Sequence, residues 1–219
     1  MSMYKGKTVV ISGNVNETGL AIAKPYAMAG ANIILLIDSR ESWHHDTWEE
    51  LKTIHPQIVL QHISMSEENT VQQAVNSAVL TFGNNVDILV NNLGAVIEVD
   101  TGHLHPQQFD LMYSLNVRNA FMLSKICHPF LKKSTNPHII NISPPLDIDR
   151  EWFRDHLAFS MSTFSMSMCT IGMSAEFKKD GIAVNSIWPV TDEGESFADA
   201  VFALGQKKSR ECSGNFYTH

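Results

Sequence analysis

The sequence predicts one α/β domain built on a doubly wound parallel sheet, and three observations carry that expectation. Short apolar, β-rich runs alternate with longer helical patterns along the chain. The runs Val9-Val10-Ile11 and Ile33-Ile34-Leu35-Leu36-Ile37 are continuous rather than alternating, as strands must be when helices cover both faces of their sheet. The length, 219 residues, suits a single domain over 1–219, and a hydrophobic content of 44% suits a globular core.

The strand candidates are Thr8–Ser12, Asn32–Ile37, Ile58–His62, Val86–Val90, His138–Ile142 and Ala183–Ile187, with Asn215–Tyr217 as a candidate seventh. Between them, helical patterns cover Thr18–Ala29, Asp46–Thr53, Glu67–Phe82, Pro106–Leu131, Phe153–Lys179 and Ser196–Gln206. Pro106 suits a first helical turn, where the missing N–H costs nothing. Gly30 and Gly181 sit where helix C-caps or the turns after them should be. Pro25, inside the first helix, is expected to kink it. There is no internal repeat, low-complexity tract or linker. The βαβα alternation gives the doubly wound sheet, six or seven strands with helices on both faces.

Sixteen basic and 23 acidic residues leave a net charge of −7. That balance argues against a general nucleic-acid footprint and against an anionic membrane surface. No apolar run approaches the roughly 20 residues of a membrane helix, and the polar start at Met1–Lys7 gives no sign of a signal peptide. Cys127, Cys169 and Cys212 are scattered and odd in number, which points to a reduced interior, cytoplasmic or organellar. His44-His45 and His103/His105 lie in polar stretches without ligand-spaced partners. They read as solvated surface, and no metal site is expected.

The first strand runs into Ser12-Gly13-Asn14-Val15-Asn16-Glu17-Thr18-Gly19-Leu20. A glycine-bearing turn between a strand and a helix lets backbone amides approach a pyrophosphate, which the helix N-terminus favours electrostatically. The same turn is equally compatible with an ordinary tight connection that holds nothing. Asp38 ends the second strand, where an acid accepts hydrogen bonds from an adenosine ribose and repels a 2′-phosphate; Arg40, two residues on, offers the opposite preference.

These segments resemble the short-chain dehydrogenase/reductase family, a Rossmann-type fold, over nearly the whole chain. The family carries T-G-x-x-x-G-x-G at the first turn. Gly13 and Gly19 match, with Asn14, Asn16 and Thr18 between them, while Ser12 replaces the threonine and Glu17 the middle glycine. Ser64-Met65 falls where the family has an Asp-Val pair beside the adenine. Asn91-Asn92-Leu93-Gly94 matches the N-N-A-G signature beside the nicotinamide and is the most specific match in the chain. Trp188-Pro189-Val190-Thr191 matches the loop that touches the nicotinamide. Asn116 matches the family's catalytic asparagine, and Ser143 the serine that hydrogen-bonds a substrate carbonyl. The segments around Asn141–Leu146, Met166–Met168 and Ala183–Pro189 look most like the hydroxysteroid dehydrogenase-like branch. The resemblance implies an NAD(P) cofactor, NAD preferred through Asp38, the strand order 3-2-1-4-5-6-7, and a homodimer or homotetramer paired through the fourth and fifth helices, Pro106–Leu131 and Phe153–Lys179. The second of these helices carries Met161, Phe164, Met166, Met168, Cys169, Ile171, Met173 and Phe177, more apolar surface than one core-facing stripe requires.

The departures are specific. The family needs Y-x-x-x-K early in its fifth helix, and the alignment puts Phe159 at the tyrosine and Thr163 at the lysine. Phenylalanine has no proton to give a developing alkoxide, and threonine can neither lower a phenol's pKa nor reach a ribose as the lysine does. Asp192-Glu193-Gly194-Glu195 alone separates the proline loop from the next helix, so the family's substrate lid is expected to be missing. Two kinds of function remain open. One is an oxidoreductase-like protein, weak or inactive or using another proton donor, with His156 the nearest in sequence. The other is a non-catalytic scaffold subunit. The substrate is unspecified.

Overall fold

The computed structural model describes residues 4–13, 17–39, 45–54, 57–92, 94–146, 150–189 and 194–219. Its strands are β1 (Thr8–Gly13), β2 (Asn32–Asp38), β3 (Ile58–Ile63), β4 (Ile88–Asn92), β5 (His138–Ile142), β6 (Ala183–Trp188) and β7 (Phe216–Thr218). Its α-helices are α1 (Glu17–Met28), α2 (His45–Ile54), α3 (Glu68–Thr81), α4 (Pro106–Tyr113), α5 (Asn119–Leu131), α6 (Leu157–Glu176) and α7 (Glu195–Gly205). The strands form one parallel sheet in the order β3-β2-β1-β4-β5-β6-β7, the order implied by the resemblance.

The continuous apolar runs behave as a two-sided sheet demands. Along β2, Ile33, Leu35 and Ile37 face a core shared with Ile22, Tyr26, Phe197 and Val201 of α1 and α7. Ile34 and Leu36 face the opposite core, with Val71 and Val75 of α3 and Leu123 and Ile126 of α5. All five β2 side chains are essentially inaccessible, each worth about 1.5–3 kcal/mol of transfer free energy. At the end of α7, Gly205 lets Ile88 and the Tyr26 hydroxyl come so close that a Cβ there would meet them at 2.7 and 2.8 Å.

Three expectations need correction. The helix expected over Phe153–Lys179 does not begin at Phe153: a 3-10 turn covers Arg150–Phe153 and α6 starts at Leu157. Asp155 adopts a left-handed backbone (φ 62°) and His156 a non-helical one, so the chain turns there before the helix can start. The helix expected over Pro106–Leu131 is interrupted by a π-turn at Ser114–Arg118. Asn91 and Asn92 lie within β4, which begins at Ile88 rather than Val86 and runs on through both asparagines, paired with Ser12 and Gly13 of β1. Helix α1 runs on as one element through Pro25, and the Pro25 carbonyl accepts the Ala29 N–H at 3.0 Å.

Candidate active site

Parallel strands place all their C-terminal ends at one pole of the sheet, and a doubly wound sheet opens a crevice where the strand order reverses, here between β1 and β4. Gly13 and Asn92 are register partners at that point. Gly13 has φ 130°, a conformation that favours glycine and turns the chain out of β1 toward α1. Thr18 and Gly19 follow in the first turn of α1, both buried. Asn14, Asn16, Leu93, Val190 and Thr191 lie outside the described residues.

Asp38 ends β2 and is buried, and one of its carboxylate oxygens accepts the backbone N–H of Met65 at 3.1 Å. Met65 is itself fully buried, and the half-buried Ser64 shares a 2.8 Å hydrogen bond with Ser66. The acid and the segment after β3 are therefore tied together as a wall of the crevice. Arg118, which carries no motif, donates from the π-turn to the Met65 carbonyl at 3.5 Å.

The π-turn positions Asn116. One extra residue in the helical turn rotates its side chain inward, and it is 1% exposed. Its Oδ1 accepts the Ala95 N–H at 2.8 Å, and its Nδ2 donates to the Ala95 carbonyl at 3.1 Å and to Ser162 Oγ at 2.8 Å. Gly94 lies against the same amide. Asn116 thereby holds the segment after β4 against α6.

Ser143 follows β5 and is 1% exposed. Its Oγ lies 2.6 Å from Ser186 Oγ, while Ser186 Oγ donates to the Ser143 carbonyl at 2.5 Å. A hydroxyl has one proton, so the Ser186 proton is committed to that carbonyl and Ser143 must donate to Ser186. Ser162 is used in the same way: its Oγ donates to the Phe159 carbonyl at 2.8 Å, so it can only accept from Asn116. Neither Ser162 nor Ser186 stood out in the sequence, because serines in a helix and a strand carry no motif of their own.

Phe159 and Thr163 lie one turn apart near the start of α6, as the spacing requires. Phe159 is 8% exposed and packs with Met112 and Ala158, against which Ile97, Leu104, Phe109 and Trp188 also rest. Thr163 is buried and turns its hydroxyl to the Phe159 and Ser160 carbonyls of its own helix, at 3.2 and 3.1 Å. The position that the resemblance gives to the tyrosine is thus packed in an apolar cluster, with a hydroxyl one turn on that is satisfied locally. The His156 ring lies 6.3 Å from the Phe159 ring, at the mouth of α6. Burial pushes the Cys127 thiol up to about 12 and raises that of Cys169 too, so neither is a ready thiolate at neutral pH.

A dinucleotide fits the frame of this crevice. Gly13 and Asn92 meet at the switch point, and Gly94, the Asp38–Met65 wall and the half-buried Pro189 after β6 stand at the same pole. The two side chains that would face a nicotinamide and its ribose, Phe159 and Thr163, offer no charge and no available proton. Among the described residues, no cluster of three His, Cys, Asp or Glu could hold a metal ion, and no helix is long and apolar enough to cross a membrane.

Comparison with known proteins agrees with this geometry. The short chain dehydrogenase family model matches residues 7–197. The chain is similar to hydroxysteroid dehydrogenase-like protein 2 from Xenopus tropicalis, 38% identical over 192 residues, 85% of this chain and 46% of that protein. The human protein of that name is 36% identical over the same shares, and the Xenopus laevis one is 34% identical over 236 residues, 96% of this chain and 56% of that protein. The chain thus spans about half the length of the curated relatives it matches. A solved structure from Xanthomonas campestris superposes with a TM-score of 0.88 at 30% identity, covering 98% of this chain and 87% of that one. A short chain dehydrogenase from Mycobacterium thermoresistibile does so at 0.84 and 28% identity, covering 98% and 85%. The family generally binds NAD(P). With its sheet order, its crevice and its motifs all of that kind, this chain is an oxidoreductase homologue that belongs to the short-chain dehydrogenase family.

Proposed function

We propose that this protein keeps the family's dinucleotide crevice but not its carbonyl chemistry, and that it acts as a weak or inactive homologue rather than a working reductase. The observation that carries this reading is the hydrogen-bond closure around Phe159. The Ser143 proton goes to Ser186, the Thr163 proton to its own helix, and both Nδ2 protons of Asn116 to Ala95 and Ser162. No proton donor remains among these four positions for a developing alkoxide, and general acid–base help is worth about 10²–10⁴ in rate. NAD is preferred over NADP through the carboxylate of Asp38. Binding is weaker than in intact relatives, because Glu17 stands at the middle glycine position and Thr163 cannot make a lysine's contact with the ribose.

The test is thermal-shift titration with NADH and NADPH, followed by a hydride-transfer assay over a carbonyl panel. A small NADH shift with no turnover is expected. Turnover at a rate normal for the family would overturn the reading and make His156, beside the Phe159 ring, the proton donor to mutate first. Flat titrations with both cofactors would favour a scaffold that binds neither.

Self-association through α5 and α6 belongs to the same reading. Phe121, Met161, Met168 and Ile171 are 39–65% exposed on these helices, while Met166 and Met173 point into the core. Ordinary packing on the sheet explains the second set and not the first. Light scattering at micromolar concentration should give a dimer or tetramer, and a monomer would count against it.

A further inference from the structure

The net charge of −7 is an average over two unlike poles. At the pole where the strands begin, the segments 4–7, 82–87, 132–137, 177–182 and 206–215 lead into β1, β4, β5, β6 and β7. They carry nine basic side chains (Lys5, Lys7, Lys132, Lys133, Lys178, Lys179, Lys207, Lys208 and Arg210) against the acids Asp87, Asp180 and Glu211; Glu176, one residue upstream, is the nearest other acid in the chain. At the opposite pole, the described segments carry Glu67, Glu98, Asp100, Glu151, Asp155 and Glu195 against Arg150 and Arg154, with Glu151 paired to Arg154 and Glu195 to Lys24.

The basic side chains form one patch. Three Lys-Lys pairs precede three adjacent strands, β5, β6 and β7. The Lys207 carbonyl is held by Asn136 Nδ2 at 3.0 Å and His138 Nε2 at 2.8 Å, which binds the third pair to the first pair's loop. The Arg210 guanidinium lies against Gly181, two residues past Lys179. Lys7 donates to Asp87 at 3.0 Å and Thr135 at 3.5 Å, joining the start of the chain to the same loop. Asp87, Asp180 and Glu211 are answered by Lys7, Lys132 and Lys208. Lys5, Lys133, Lys178, Lys179, Lys207 and Arg210 have no acidic partner among the described residues.

Helix C-termini hold some of these cations, Lys132 at the C-cap of α5 and Lys178 and Lys179 in the turn after α6, each worth about 0.3–1 kcal/mol there; α1 and α3 end at the same pole with no basic residue in the last turn. They present Met28 and Leu80 instead, 71% and 64% exposed and the most exposed large apolar side chains there. Lysine, a compact and strongly hydrated charge, suits a diffuse anionic surface better than a fixed bidentate contact. Basic charge with exposed apolar side chains at the same pole fits an interfacial surface, although Met28 itself shares a groove with Lys24, Glu195 and Asp199.

We propose that this pole docks on an anionic phospholipid bilayer as a peripheral contact, with the lysine pairs against the headgroups and Met28 and Leu80 at the acyl boundary. The acidic pole would then point away from the bilayer and leave the crevice open to solution.

Flotation of the full chain with vesicles tests this. Vesicles of 70% phosphatidylcholine and 30% phosphatidylserine should carry the protein at 50 mM salt, pure phosphatidylcholine should not, and 500 mM salt should release it. Lys178→Gln/Lys179→Gln should weaken binding by about thirty-fold, and adding Lys207→Gln/Lys208→Gln should abolish it. The reverse substitution at the far pole, Glu98→Lys, should change nothing. Circular dichroism shows that each variant is folded, and Lys133→Gln/Lys178→Gln replaces any that is not. Equal flotation with neutral vesicles, or binding that survives all four substitutions, overturns the proposal. So does binding to poly-glutamate or single-stranded RNA without binding to vesicles, which would assign the pole to a soluble polyanion.

Discussion

At the N-terminal pole of the sheet, Asp87 gathers four donors: Lys7 Nζ at 3.0 Å, Thr8 N–H at 2.9 Å, Asn85 Nδ2 at 2.9 Å and Ser134 Oγ at 2.5 Å. At the C-terminal pole, Asn116 makes three hydrogen bonds and Ser143 and Ser186 make two with each other. The two regions use the same chemistry with opposite consequences. Saturating Asp87 welds the start of β1 to β4 and to the loop before β5, where a buried carboxylate would otherwise destabilise the fold. Under the proposed function, saturating Ser143 uses up the proton that a reacting carbonyl would need. On that reading a hydrogen bond that serves a structural pole well disables a chemical one, because a donor can be spent only once.

The sharpest way to break that comparison is to reopen the C-terminal pole. Phe159→Tyr with Thr163→Lys supplies an acid, a charge to activate it and a ribose contact together. Relative to the unmodified chain, the double variant should gain about 10²–10⁴ in NADH-dependent carbonyl reduction. Either single change should gain little, since an unassisted phenol keeps a pKa near ~10. Steady-state assays of the four proteins check this. An inert double variant that still binds NADH would put the block at Ser143, and Ser186→Ala on that background would then be the deciding change.

Next in size is Asp87→Ala at the N-terminal pole. It removes one acceptor for four donors and strands the buried Thr8 N–H, so it should cost about 3 kcal/mol in urea unfolding. Asp87→Asn, which keeps an acceptor, should cost less.

The pH response should be smaller. His138 is fully buried at the start of β5, with Nε2 donating to the Lys207 carbonyl at 2.8 Å and Nδ1 unpartnered among the described residues. Burial lowers its pKa below the ordinary 6.5, against a smaller upward pull from that hydrogen bond. The unfolded chain therefore takes up the proton first, and the contribution to stability, complete above about pH 6.5, is lost as the pH falls through that value toward the folded pKa. The slope from this one group is at most about 1.4 kcal/mol per pH unit. Unfolding of the unmodified chain and of His138→Gln at pH 7.5 and 5.5 isolates it, and parallel curves would rule it out.

The smallest effect is expected at Lys208–Glu211, an exposed pair at 3.1 Å. Glu211→Gln should shift unfolding by less than about 0.5 kcal/mol. A larger loss would mean that charge at this pole is coupled to the fold and not only to the surface.

The sequence by itself determined the layers of this protein. Uninterrupted apolar runs require a sheet covered on both faces, and all seven strands fall at or within two residues of where those runs place them. The motif residues Gly13, Asp38, Asn92, Asn116 and Ser143 point to a crevice at one pole through their resemblance to the family, since the first turn taken alone fits an ordinary connection equally well. The side-chain partners were not legible. Whether Ser143 can give a proton depends on Ser186, 43 residues away and brought alongside by the pairing of β5 and β6. The aim of Asn116 depends on a π-turn, which differs from an α-turn by one shifted hydrogen bond that leaves no mark in composition. The start of α6 at Leu157 was decided by the backbone of Asp155 and His156, where no glycine or proline gave warning. Periodicity records which face of an element is apolar. Only tertiary structure brings one donor to one acceptor, and at the crevice that pairing decides whether a proton is available.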